Sequence, residues 1–189
     1  FQFTYSQAQE SCITTYLRTY TSNGHIEPYA IRSLGNGETL IAGRASQGIE
    51  SSFHLLAVKL SSKGEVIWSL NVPEFDNAVF TGITLLADGS YLFYGAISEA
   101  GGGGNRVIMA NTTIAGQLIS ARTLSTGTTK NRLCSIQQFS DGDLIGVVNI
   151  NDSTDQSVPL LFKLSTGGVL KWAKKLKQLS PASFSSLGI

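Results

Sequence analysis

The chain has 189 residues, 42% of them hydrophobic and 14% charged, and 14 Lys and Arg against 13 Asp and Glu leave a net charge of +1. That composition excludes a disordered tail, and the near-neutral balance supplies no global attraction to nucleic acid or to an acidic membrane. No run approaches the roughly 18 consecutive apolar residues of a membrane helix, and two cysteines are too few for a disulfide framework.

In chain order, Gln2 to Ala8 and Ile13 to Tyr20 are expected as the first two strands, followed by strand A at Tyr29 to Leu34, B at Thr39 to Gly43, C at His54 to Leu60 and D at Glu65 to Val72. Strand D shows the logic best. Val66, Trp68, Leu70 and Val72 share one face while Ile67, Ser69 and Asn71 share the other, which is the period of two that a pleated strand imposes. Helical spacing is sustained nowhere.

The same four elements then recur. SSKGEVIW from Ser61, TTIAGQLIS from Thr112 and LSTGGVLKW from Leu164 align on Gly64, Gly116 and Gly168 at steps of 52 residues, and Trp68, Ser120 and Trp172 keep that step. A second landmark, NGETLIAG from Asn36, DGSYLFYG from Asp88 and DGDLIGVV from Asp141, aligns on Gly37, Gly89 and Gly142. Asn-Gly and Asp-Gly supply the positive backbone angles that tight hairpins require. A four-stranded antiparallel unit at this period is what a β-propeller blade demands, because neighbouring blades bury each other's faces around an axis. The expected fold is all-β, a propeller present as an open arc of about three and a half blades. It comprises a partial blade over 1–20, blades over about 29–72, 81–124 and 134–176, and the start of another over 177–189.

HLLAVKLSSKGEVIW from His54 and LLFKLSTGGVLKW from Leu160 resemble a family of bacterial β-propeller repeats with the pattern DGGYIVAG, polar loop, D-x-x-L-x-K-L-D-x-x-G-x-x-W. The resemblance spans nearly the whole chain. The family's acidic residue opening strand C is His54, Arg106 and Val158 here, and its Asp after K-L is Ser61, Thr113 and Ser165. The resemblance implies the fold and an extracellular or cell-envelope location. It transfers no catalytic residue.

In an up-and-down blade the connections alternate between two ends, so the short glycine turns (A to B, C to D) lie at one end and the long polar loops (B to C, D to A) at the other. Loops on a rigid scaffold are where binding groups sit. The candidate ligand-binding residues are therefore His25, Glu27, Arg44, Glu50, Glu74, Asp76, Glu99, Arg106, Lys130, Arg132, Asp152 and Asp155. A cation site at Asn151, Asp152 and Asp155 is a further option in one of these loops.

Catalytic and cofactor motifs are absent or only partial. His25 and His54 lack a Cys or His partner at zinc-ligand spacing, and no G-x-S-x-G elbow occurs. Gly101 to Gly104 precede a strand where a phosphate loop needs a helix. Asp141, Asp143, Gly146 and Asp152 match part of a calcium-loop template, but LIGVV reads as strand B. Lys171, Lys174, Lys175 and Lys177 lie on or just beyond an outer strand, where Lys blocks edge pairing. No cofactor, metal or catalytic residue is expected.

The functional expectation is a non-enzymatic module presenting its loops to a protein or glycan. The alternative is a polysaccharide hydrolase or lyase whose carboxylates come from several blades. Two consequences follow from the phase of the repeat. Cys12 and Cys134 fall at opposite ends of different blades and should not be bonded to each other. An arc of three and a half blades should need the rest of a longer chain, or a second copy, to cover its end faces.

Overall fold

The computed structural model describes residues 3–8, 15–20, 24–46, 48, 52–98, 105–125, 131–151 and 157–176. Among them all regular structure is β. Strands β1 (Phe3–Ala8) and β2 (Thr15–Tyr20) pair antiparallel, with Ala8 opposite Thr15 and Phe3 opposite Tyr20. Three four-stranded antiparallel sheets follow. The first holds β3 (Ile26–Ser33), β4 (Thr39–Ala45), β5 (His54–Leu60) and β6 (Val66–Val72); the second holds β7 (Ala78–Leu85), β8 (Tyr91–Ser98), β9 (Asn105–Thr112) and β10 (Leu118–Leu124). The third holds β11 (Asn131–Gln138), β12 (Leu144–Asn151), β13 (Ser157–Leu164) and β14 (Leu170–Lys175). Strand order in each sheet follows chain order, so each is an up-and-down blade.

The hairpin glycines act as the sequence requires. Gly37, Gly64, Gly89, Gly116, Gly142 and Gly168 all have φ between 75° and 84°, a region closed to residues with a Cβ except at a strain cost. Where the resembling family has Asp after K-L, the hydroxyls of Ser61, Thr113 and Ser165 accept the backbone N–H of Glu65, Gln117 and Val169 at 3.0–3.1 Å. Ser and Thr thus hold the C to D turn by a local side-chain to backbone bond.

Strand A of the first blade begins at Ile26, three residues before the expected start, because a bulge interrupts its alternation. Pro28 pairs with Gly43 and Ala30 with Ala42, leaving Tyr29 as the extra residue. The bulge recurs at Thr81 in β7 and Cys134 in β11. A bulge switches which residues face inward, and so erases the period of two on which the sequence reading relies.

Faces of adjacent blades form two cores. Leu40, Ala42, Leu55, Ala57 and Val72 of the first blade meet Ala78, Phe80, Tyr91, Phe93 and Ile108 of the second. Leu92, Tyr94, Val107 and Met109 of the second meet Ile136, Leu144, Val148 and Phe162 of the third. Strands β7 and β11 pack on the blade before them, as stacking around an axis requires. The other face of the first blade is covered unevenly: Leu56 and Leu60 are buried there. Ile31 there is 75% exposed, and Ile41, Leu56, Val58 and Val66 line an apolar hollow of about 260 Å³. Cys12 lies outside the described residues, as do Gly188 and Ile189.

Candidate functional site

The long-loop end of the first blade gathers three of the twelve candidates. Glu27 and Arg44 are cross-strand partners in β3 and β4, and the Arg44 Nε and Nη2 both donate to the Glu27 Oε2, at 2.9 and 2.7 Å. The bulge turns Tyr29 so that its hydroxyl donates to the same oxygen at 2.8 Å. Gly43, opposite the bulge, leaves the space: a Cβ there would collide with the Glu27 carbonyl. Above this group, the Arg44 guanidinium lies 4.0 Å from the centre of the Phe53 ring and 5.8 Å from that of Tyr29. His25 meets the edge of Phe53, with ring centres 6.4 Å apart at 87°. The Ser46 N–H donates to the His25 carbonyl at 2.9 Å, which ties the segment entering β3 to the end of β4.

Electrostatics fix the charge states. Donation from the Tyr29 hydroxyl, and then from Arg44, holds the Glu27 carboxyl below the usual carboxylate range, while the same carboxylate raises the Tyr29 phenol. Glu27 is therefore a permanent anion at neutral pH and cannot serve as a general acid there. Beside this group, Asp76 in the loop after β6 places an Oδ1 3.6 Å from the His54 Nδ1; the Asp76 side chain is 69% exposed and that of His54 18%.

The remaining candidates do not join this cluster. Arg106 opens the second blade's strand C at the position His54 holds in the first, opposite Ile97, and is half-buried. Glu74 sits in the loop between β6 and β7. Arg132 belongs to β11. Glu50, Glu99, Lys130, Asp152 and Asp155 lie outside the described residues, and with the last two goes the candidate cation loop. Among the described residues no three His, Cys, Asp or Glu side chains converge as metal ligands.

The sequence reading missed Tyr29 and Phe53, the aromatic half of the cluster. The available signal was their position beside His25, Glu27 and His54 in segments already assigned to the long-loop end. It also missed an ion network at the opposite end. Lys163 reaches Asp141 at 3.0 Å and Asp143 at 2.9 Å, and Lys171 reaches Asp143 at 2.6 Å; Lys59 pairs with Glu38 at 2.7 Å in the first blade. The Lys of the K-L motif thus bridges to the acid following the hairpin glycine.

No family model matches the sequence, and no curated protein matches it. Among solved structures, the chain is similar to the β-propeller domain of the trilobed protease from Pyrococcus furiosus, described as having an open velcro topology. The two share 11% identity and a TM-score of 0.51, over 85% of this chain and 46% of that one. The fold is an open β-propeller arc. At this identity the likeness extends to architecture alone, and the chain spans about half the length of the structure it matches.

Proposed function

We propose that the propeller is a non-enzymatic binding module of a secreted or cell-surface protein, with its ligand site at the long-loop end of the blades and a glycan as the ligand. The observation that supports this is the Arg44 side chain held between Glu27 and the Phe53 ring, beside the 51% exposed ring of Tyr29. The exposed Tyr29 ring presents an apolar face to the C–H face of a sugar, and a fixed guanidinium and carboxylate offer donors and an acceptor to its hydroxyls without further ordering cost. Preorganisation of this kind suits binding. A carboxylate locked as an anion does not suit proton transfer to a glycosidic oxygen, which weighs against the hydrolase alternative at this cluster. Nucleic acid and membrane insertion are not part of the reading.

The test is a glycan microarray probed with the chain and with Phe53→Ala and Arg44→Ala variants. The expected result is binding to a restricted glycan set that drops at least tenfold in both variants while their thermal midpoints stay within a few degrees of the parent. Equal binding by parent and variants, or release of reducing ends from a bound glycan, would overturn the proposal.

A further inference from the structure

The two interfaces between the described four-stranded blades are built on one plan but differ in their aromatic side chains, above all at Trp68 and its equivalent Ser120. Trp68, Ser120 and Trp172 are register equivalents, paired across their sheets with Lys59, Asn111 and Lys163. At the first interface the Trp68 indole reaches over to the second blade. Its ring lies 6.2 Å from that of Tyr91 and 6.4 Å from that of Phe93, the latter at 86°. It covers Gly116, where a Cβ would meet the indole at 2.5 Å, and its Nε1–H donates to the Ile114 carbonyl at 3.1 Å.

At the second interface the same place is empty of an aromatic ring. Ser120 stands where Trp68 does, Leu144 where Tyr91 does, and Gly168 and Thr166 where Gly116 and Ile114 do. A cavity of about 340 Å³ lies there, lined among others by Met109, Ser120, Leu144, Thr166 and Gly168. Asn111, in the place of Lys59, contributes a side-chain oxygen that is buried and has no hydrogen-bond donor. A buried acceptor without a donor is costly, and it marks a position where a ligand N–H would be favoured. Arg122 covers part of Gly168 and donates from its Nη1 to the Gly167 carbonyl, leaving an exposed guanidinium beside the cavity; Asp88, engaged by Ser90, contributes a carboxylate to the lining.

We propose that this cavity is a ligand site for an indole-type aromatic, a flat ring carrying one N–H donor, which takes up the space that Trp68 fills from within the chain at the other interface. The apolar walls Met109 and Leu144 receive the ring, and the Asn111 oxygen or the Thr166 carbonyl accepts its N–H. The site is separate from the long-loop cluster, since it is walled by the short glycine turns at Gly142 and Gly168. The ligand is a free indole compound or a tryptophan side chain of a peptide, the chemistry being shared.

The test is isothermal titration of the full chain with indole and, separately, with the tripeptide Gly-Trp-Gly, repeated on Ser120→Trp. The expected result is saturable binding of at least one probe to the parent, weakened at least tenfold in Ser120→Trp, whose own ring closes the cavity and raises the urea midpoint. Binding of indole alone assigns the site to a small molecule, and binding of the tripeptide to a peptide. If Ser120→Trp fails to fold, Ser120→Leu carries the same comparison. A Trp68→Gly variant, which opens the corresponding space at the first interface, serves as a control in which indole should restore thermal stability. Failure of both probes to bind the parent, or binding undiminished by the substitution at Ser120, overturns the proposal.

Discussion

Replacing Trp68 and Trp172 separately by Ala tests whether a blade's outer strand is stabilised by its own sheet or by the next blade. The two residues hold the same register, opposite Lys59 and Lys163, so their own sheets treat them alike. Their neighbours differ. Trp68 rests on Tyr91, Phe93 and Gly116 and donates to the Ile114 carbonyl, whereas no described blade follows Trp172, whose ring has the Lys174 ammonium 5.7 Å from its centre. A fully buried Trp truncated to Ala costs about 3–5 kcal/mol, and half-buried Trp68 should cost roughly 2–3 kcal/mol, including about 1 kcal/mol for its hydrogen bond. Trp172 is half-buried within its own sheet but has no described blade against it and, among the described residues, makes no such hydrogen bond, so Trp172→Ala should cost about 1 kcal/mol. For a chain of this size those figures correspond to a fall in Tm of roughly 5–10 °C against about 3 °C or less. Urea denaturation followed by far-UV circular dichroism reads both. Equal losses in the two variants would refute the assignment of Trp68 to an inter-blade role, and with it the plan that defines the cavity at Ser120.

Three further outcomes are expected. Hydrogen bonds and charge from Lys171 and Lys163 hold the Asp143 carboxyl below the usual carboxylate range, and Lys163 likewise lowers Asp141. A carboxyl depressed on folding contributes stability above its unfolded pKa of about 4 and loses it as pH falls through the lower folded value. Urea midpoints should therefore drop below about pH 4, and drop less steeply in Lys163→Met. Gly82→Ala should destabilise the second blade by about 1–3 kcal/mol, because its Cβ would enter the Tyr94 ring that lies across from it; a thermal midpoint unchanged by the substitution would contradict the packing. Ile31→Lys, at the exposed part of the first blade's other face, should reduce self-association of the isolated chain in sedimentation velocity, whereas an unchanged distribution would show that this residue is not what joins copies.

The repeat was legible because its markers answer to local constraints. A hairpin turn needs positive φ at one position, only Gly meets that cheaply, and so the six turn glycines announce the strand boundaries without reference to anything distant. Strand C, His54–Leu60, and the alternation of strand D in the first blade followed from the same local rules. What the sequence left open depends on atoms that the repeat brings together from elsewhere. Tyr29 reads as an ordinary strand residue, and only the bulge that pairs Pro28 with Gly43 and Ala30 with Ala42 turns its hydroxyl onto Glu27. His25, Glu27 and Arg44 could be assigned to one end of the blade, but their convergence around Phe53 is a property of the folded sheet. Ser120 shows the division most plainly. In the sequence it is the serine that stands at the tryptophan step of the repeat, and it borders a cavity because Leu144, Thr166 and Gly168 arrive from the next blade, where a tryptophan-sized space is set by the spacing between sheets.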